Sequence, residues 1–503
     1  MEINFNKPQR QSSIGILVLF LDTLQMYGRA FLPIIIIWFF NSKNNIYSYV
    51  FLIIIVAIVL LIIFAYLQYV NFTFYIDDQN DAFIVNDGIV NKTKTTIQLN
   101  KIQQVTIHQN LIQRIINVYS LSVDTAGTDT KEGKIKAISH AMALALKYKL
   151  LENETLNNEE NLEELILDKT EKLEHQLPPF LKIKLLSLIK IGFTSNYLKS
   201  IVLLLTFFFT IFENLRQIGK EDIINQVKIE KTFSNYPLFY SILFFLVALF
   251  MIIFIINIVR TVLKYFNYTI TKQKGSLLLS FGLINTDSTI LKPEKVQIVK
   301  ISRNYFQKKL NILEIKIKQA TSDNEKSKKS QIEIPGCNSK EKDEILQLIF
   351  GMIPEKGLKI IPNFRKLVFS IFLTIILPLS IFFIVGNYIK PEVLNFLNIA
   401  IVYCVFVLLI LFFAFRNYKL FISQNHIIKQ SGAWDIDNEI IEIKKIQAIS
   451  TSQLFWHKNL NIGSITLSTA AGTITFQLGN YNLLKQYMNL WLYEIESSNS
   501  NWM

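Results

Sequence analysis

The chain is poor in the residues on which most site chemistry depends. Its two cysteines, Cys337 and Cys404, stand far apart in 503 residues, which excludes a disulfide framework and a thiolate metal cluster. The five histidines, His108, His140, His175, His426 and His457, form no metal-spaced pair. No Gly-rich phosphate loop, Gly-x-Ser-x-Gly elbow or two-histidine metalloprotease helix occurs. Charge is scarce too, at 18% of residues against about 25% in soluble domains. With 51% hydrophobic residues and a mean hydropathy of +0.32, disorder and a wholly soluble enzyme are excluded. No catalytic residue, cofactor or metal site is assigned from the sequence.

What the chain does have is long apolar runs. Six of them, at 14–40, 47–70, 197–218, 237–262, 367–385 and 393–415, are long enough as helices to cross a hydrocarbon core of about 30 Å. They come in three pairs, each enclosing a short connector. No small-residue cleavage site follows the first run, so a retained anchor is expected.

Lysine and arginine give the orientation. Only Lys43, Arg216, Lys220, Lys228, Lys231 and Lys390 lie in the connectors, out of 52 basic residues. The remainder, apart from Arg29, lie with the long polar segments, which the positive-inside rule places in the cytoplasm together with both termini. The net charge of +13 then reflects topology and attraction to an anionic leaflet, and nucleic acid is not expected as a partner.

The three long polar segments are internal repeats. Aligned on Gly88, Gly282 and Gly432, they carry Gln103, Gln297 and Gln447 fifteen residues on, within Lys101-Ile102-Gln103, Lys295-Val296-Gln297 and Lys445-Ile446-Gln447. Without a gap, Arg114, Lys308 and Lys458 follow at twenty-six, Asn117, Asn311 and Asn461 at twenty-nine, and Ala126, Ala320 and Ala470 at thirty-eight. Short β-prone runs fill each copy, among them 83–85, 96–99, 104–107, 296–299, 313–317, 439–443 and 464–467. Helical stretches at 136–151, 339–352 and 481–495 close them. Strands followed by one helix describe a small α+β domain of roughly 80 residues.

Paired apolar helices, a β-rich segment with the glycine turn, the Lys-Ile/Val-Gln triplet and a closing helix together resemble the bacterial pleckstrin-homology-like membrane proteins of the YdbS/YdbT type. The opening Lys7-Pro8-Gln9-Arg10-Gln11-Ser12 and the Gly192-Phe193-Thr194-Ser195-Asn196 stretch extend the likeness over nearly the whole chain. The resemblance implies a multi-domain membrane protein with six transmembrane helices in three hairpins, each followed by a cytoplasmic domain. That domain would be a seven-stranded sandwich or partly open barrel in two near-orthogonal sheets, capped by its C-terminal helix. It implies no activity. The expected boundaries are 1–70, 71–153, 154–195, 196–263, 264–355, 356–415 and 416–503, with helix pairs in the first, fourth and sixth and domains in the second, fifth and last. Segment 154–195 holds an acidic linker and an interfacial stretch, Leu181 to Lys190, that combines apolar bulk with lysines.

The glycines read as fold markers that supply a positive φ, and the repeated asparagines mark a turn. The triplet Lys and Gln flank an inward apolar residue, so alternation sets both on one outward strand face. That face is either solvated surface or a shared docking strip, and Lys101, Gln103, Lys295, Gln297, Lys445 and Gln447 are candidate interaction residues. Arg114, Lys308 and Lys458, before a turn, are candidates for the same role or for a phosphate contact. A phosphoinositide site at the first hairpin is not expected, because the first copy has Asp77, Asp78 and Asp81 there, the third Ser423 and His426, and only the second Lys272 and Lys274.

A non-catalytic bacterial inner-membrane scaffold follows, whose three modules bind multivalently to a protein partner, to further copies of the chain or, non-specifically, to anionic lipid. The competing expectations are an accessory in transport or export of a lipid or amphipathic peptide, favoured by a polar cavity between the helices, and a lipid-acting membrane enzyme.

Overall fold

The computed structural model describes residues 5–41, 47–125, 133–151, 179–195, 238–273, 276–320 and 331–497, with scattered positions from 197 to 213. The acidic tract 152–174 lies outside them, as does most of the third expected span, 197–218. The chain divides into two compact units, one of Met1–Thr125 with Lys131–Leu291 and one built on Lys292–Met503. The division falls inside the second expected domain, so each unit contains one whole copy and half of another.

In the first unit, α1 (Gly15–Asn41) and α2 (Tyr47–Asn71) are long apolar helices in mutual contact. The chain then forms β1 (Thr73–Asp77), β2 (Ala82–Asp87) and β3 (Thr93–Gln98), an antiparallel three-stranded sheet. Next come β4 (Ile102–Gln109), the short α3 (Leu111–Ile115), β5 (Tyr119–Thr125), β6 (Gly133–Ile138) and the closing helix α4 (His140–Leu151). The alternating apolar side chains of the strands, Phe74, Ile76, Phe83, Ile97, Leu121 and Ile135, bury against Ala143 and Leu146 of α4. Each such buried aliphatic or aromatic side chain contributes about 1.5–3 kcal/mol, which is what holds the sheets and helix together.

The unit continues through β7 (Leu181–Lys182), α5 (Leu185–Thr194), α6 (Leu238–Tyr265), β8 (Thr269–Gln273), β9 (Ser276–Phe281) and β10 (Thr286–Leu291). The expected interfacial stretch is therefore divided. Leu181 and Lys182 pair with Ile270 and Thr269 of β8, and α5 packs on α6 through buried Leu188, Ile191 and Gly192. A Cβ on Gly192 would stand 2.8 Å from the Cα of Ile258, so only glycine allows the two helices to approach this closely.

The second unit begins with β11 (Val296–Arg303), α7 (Tyr305–Lys309), β12 (Leu313–Gln319), β13 (Ile332–Cys337) and α8 (Ser339–Phe350). Asn338 caps α8 reciprocally with Glu341, and Gly351 ends it at φ 73°. Then follow β14 (Leu358–Ile360), α9 (Arg365–Ile371), one π-helical turn (Phe372–Ile376), α10 (Leu377–Tyr388) and α11 (Leu397–Asn417). Tyr403 of α11 donates its hydroxyl to the Thr374 carbonyl at 2.8 Å. The last copy comprises β15 (Lys419–Ile422), β16 (His426–Ser431), β17 (Ile436–Glu442), β18 (Ile446–Ser452), β19 (Ile462–Thr469), β20 (Gly472–Asn480) and α12 (Tyr481–Ser497). Its core joins Leu420, Ile441, Ile465 and Phe476 to Leu484 and Trp491 of α12. Three helical stretches among the described residues, Val247–Tyr265, Arg365–Tyr388 and Pro391–Asn417, are long and apolar enough to cross a membrane; the fully described parts of α1 and α2, Gly15–Gly28 and Ile55–Asn71, and the helix α5 are shorter apolar stretches.

Two features of the sheets were not expected. First, sheets run across the repeat boundaries. β4 pairs antiparallel with β10, giving the order β6-β5-β4-β10-β9-β8-β7, and β11 pairs with β17, giving β13-β12-β11-β17-β16-β15-β14. The three-stranded sheets β1-β2-β3 and β18-β19-β20 remain at the two ends of the series. Second, the seventh strand of each copy comes from the residues preceding its apolar helices. These are β7 on β8, β14 on β15 and, in the first copy, a bridge between Gln9 and Phe74 with backbone hydrogen bonds of 2.8 and 2.9 Å.

Candidate interaction site

The fold markers occupy the backbone positions that their residue types favour. Gly88, Gly282 and Gly432 have φ of 110°, 113° and 109°. A Cβ there would stand 2.0, 1.8 and 1.9 Å from the carbonyl oxygen three residues on, so no other residue fits. Asn117, Asn311 and Asn461 have φ of 52°, 51° and 55°, the left-handed region that asparagine tolerates best among residues with a side chain.

The triplets need a correction. Lys101, Lys295 and Lys445 are not strand residues; each ends a one-turn 3-10 helix, Leu99–Lys101, Pro293–Lys295 and Ile443–Lys445. The glutamine that follows two residues later is skipped by the ladder: the register shifts between Ile102 and Gln104, between Val296 and Ile298, and between Ile446 and Ala448. Gln103, Gln297 and Gln447 are thus β-bulge residues, and a bulge breaks the alternation on which a common outward face relied. Their settings diverge accordingly. Gln297 is buried whereas Gln447 is exposed, and Lys101 is exposed, Lys295 half-buried and Lys445 buried. Lys445 donates to the Glu294 carbonyl at 2.5 Å. Burial pushes its ammonium below the ordinary lysine value, Lys444 adds to this, and Glu442 and Glu294 oppose it.

What the repeats assemble is a junction between the second half of one copy and the first half of the next. In the first, Gln109, His108, Ile107 and Thr106 of β4 stand opposite Thr286, Asp287, Ser288 and Thr289 of β10. His108 Nδ1 meets Asp287 Oδ1 at 2.5 Å, and the Thr106 and Thr289 hydroxyls lie 3.1 Å apart. Fully buried Lys147 of α4 donates to the Ser288 carbonyl and hydroxyl at 3.3 and 3.0 Å. Arg114, read from sequence as a phosphate candidate, donates instead to the Leu283 carbonyl at 2.6 Å, beside the Gly282 turn.

In the second junction Val299 to Arg303 of β11 oppose Ile440 to Ile436 of β17 in reverse order. Asp437 receives Lys300 Nζ at 2.7 Å and the Ser302 hydroxyl at 2.6 Å. Phe306 of α7 meets Trp434 edge to face, their centroids 5.7 Å apart. Both junctions share one relation to the repeat: the strand four to eight residues past the glycine pairs with the strand beginning fourteen past it in the preceding copy.

The site that sequence reasoning missed lies after β18. In the first two copies β4 and β11 lead into helices with reciprocal caps, Asn110 with Gln113 and Asn304 with Gln307. In the third, Leu454 and His457 stand in those positions and the helix becomes 3-10, Phe455–Leu460. Leu454, Phe455 and Trp456 are 51%, 82% and 53% exposed. The signal was there in the loss of the Asn-x-x-Gln cap. Lys308 and Lys458 are both exposed. At the start of β16, away from this turn in sequence, His426 is buried against the Phe350 ring and lies 3.9 Å from Glu442. Burial lowers the imidazole below its ordinary value, with Lys444 acting the same way, and burial raises the Glu442 carboxyl against Lys444 and Lys445. Among the described residues no three His, Cys, Asp or Glu side chains are placed to hold a metal ion.

The comparisons agree with this geometry. The Bacterial PH domain family matches residues 22–154, 224–353 and 372–486, each match spanning apolar helix and sheet together. A relative, the UPF0699 transmembrane protein YdbT of Bacillus subtilis (strain 168), is 23% identical over 393 residues, covering 75% of this chain and 78% of its own. With three matches that fall on the three glycine-anchored copies, the chain belongs to the Bacterial PH domain family.

Proposed function

We propose that this protein is a multi-pass inner-membrane scaffold, with six spans in three hairpins and both termini cytoplasmic, that works by multivalent binding and performs no covalent chemistry. The observation that carries the reading is the fusion of neighbouring copies into shared seven-stranded sheets. A sheet built from two copies fixes the spacing of their surfaces, which turns separate weak sites into one multivalent one. Exposed cations, Lys101, Lys308 and Lys458, supply non-specific attraction to an anionic leaflet or an acidic partner.

The test is to isolate the full chain from its native membrane in lipid discs and identify what accompanies it by mass spectrometry, beside the triple variant Lys101→Ala, Lys308→Ala, Lys458→Ala. A protein or anionic lipid enriched with the wild type and depleted in the variant is the expected result. Turnover of a lipid by the purified chain would overturn the non-catalytic reading, and equal retention in both forms would remove the exposed cations from it.

A further inference from the structure

We infer that the third copy's open strand edge, β18 with the exposed aromatic turn behind it, docks the first copy of a second molecule of this chain. The inference rests on the scaffold reading and names its partner. It begins from an asymmetry of the repeat. β4 and β11 are each covered by the strand that follows the glycine of the next copy, and β18 stands in their place in the third copy, where no described strand covers it. Among the described residues β18 pairs with β19 alone. At the other end, β3 occupies the place of the covering strands β10 and β17, and among the described residues it pairs with β2 alone. Among the described residues the chain thus carries one open edge of each complementary kind.

Repeating the register of the two internal junctions sets Ser452 opposite Thr93, Thr451 opposite Lys94 and Ser450 opposite Thr95. All six of these side chains are exposed or half-exposed. The contacts behind the strands repeat as well. Trp434, two residues past its glycine, rests on Phe306, twenty-four past the previous one. The corresponding free positions are Val90, 96% exposed, and Trp456. Two apolar side chains left in water at the two ends are those that would meet. Lys458, the counterpart of Arg114, would reach the backbone at Ile89 as Arg114 reaches Leu283.

Charge selects this pairing over a symmetric one. Two β3 edges together would set the lysines at 92 and 94 of one copy near those of the other, a guard against like-with-like pairing. The β18 edge from Ile449 to Gln453 is uncharged and accepts the lysine-bearing strand without repulsion. The contact is therefore head to tail, and such contacts build open chains or closed rings. Since neither Asp287 nor Asp437 has an acidic counterpart at Thr93, the intermolecular junction lacks the carboxylate contacts of the internal ones and forms reversibly at high local density.

The experiment is disulfide trapping in membranes of the full chain in a Cys337→Ala, Cys404→Ala background. Directly opposed strand residues lie within disulfide reach. The Thr93→Cys, Ser452→Cys double variant is expected to give a ladder of dimers and higher species under mild oxidation, collapsing on reduction, while either single variant stops at dimers. Adding Trp456→Asp, a change at an exposed side chain, is expected to lower the trapped fraction about tenfold, the factor that corresponds to about 1.4 kcal/mol. Absence of species beyond those of the single variants overturns the inference. So does quenching of Trp456 by brominated lipid, read as the difference between wild type and Trp456→Phe, because the turn would then lie against the bilayer. Either failure leaves the copurification test of the scaffold reading standing.

Discussion

The two internal junctions have the same strand register and different chemistry. At β4 and β10 the side chains are hydroxyls, a His108–Asp287 contact and the buried Lys147 on Ser288. At β11 and β17 they are an ion pair, Lys300–Asp437, the Ser302 hydroxyl on the same carboxylate, and an aromatic contact. The backbone ladder is thus the shared device, and side chains give each junction its own identity. Distinct chemistry on a common ladder also opposes mispairing of β4 with β17, since specificity is a difference of affinities between right and wrong partners.

The comparison can be broken most severely through the ladder itself. Thr289→Pro in β10 and Ile440→Pro in β17 each remove a donor from a strand paired on both sides. Each is expected to cost about 3 kcal/mol or more. Hydrogen exchange should accelerate across β4 for the first and β11 for the second, with similar size if the ladder is the common element. Lys147→Ala sharpens the contrast, because it deletes the buried ammonium and stem from the first junction only. A loss of about 2 kcal/mol is expected in the first unit, with no change in exchange at β11.

Smaller effects separate the electrostatics. Asp437→Asn should cost about 0.5–1 kcal/mol at low salt, less at high salt, and leave β10 unaffected; thermal unfolding at two ionic strengths measures it. The pH dependence belongs to the second unit as well. His426 has a folded value below its unfolded one, so its contribution is complete above the ordinary imidazole value and is lost as pH falls through the folded value. The raised Glu442 carboxyl has the opposite sign: its contribution is complete below the ordinary carboxyl value and is lost as pH rises through the folded one. Melting of the second unit is expected to fall from pH 7 to pH 5, to flatten in His426→Phe and to steepen in Glu442→Gln.

Much of this organisation was legible in the residues, for reasons that differ by position. Gly88, Gly282 and Gly432 were readable because a tight turn at positive φ admits almost nothing else, and the asparagines for a weaker version of the same reason. Of the closing helices, α8 and α12 lie where they were read, α12 on the helical spacing of Leu484, Tyr487, Met488 and Trp491, whereas the first stretch was begun too early: residues 136–138 belong to β6, and α4 starts at His140. The glutamines misled because alternation assumes an unbroken ladder, and a bulge inserts one residue without a sequence mark. β7 and β14 were invisible because two or three residues carry no period. The junctions were hidden for a deeper reason: which strands meet at an edge is decided by tertiary placement, and the polar strands β3, β10 and β17 look like ordinary edges in isolation. The aromatic turn after β18 carries no repeated signal, because Leu454 and His457 replace the Asn and Gln of its two counterparts.

The short strands before the helix pairs have a mechanical consequence. In the first copy the chain leaves the sheet at Gln9 and returns at Phe74 directly beside it, and in the third it leaves at Ile360 and returns at Leu420. Adjacent strands lie about 4.8 Å apart, whereas packed helices need about 8–10 Å between their axes. In these two copies the chain entering the helix pair and the chain leaving it are therefore held at a spacing narrower than that of two packed helices. A force that tilts the helices is passed to the sheet through that strand pair, together with the contacts of the helix ends on neighbouring strands such as Val18 on Ala137.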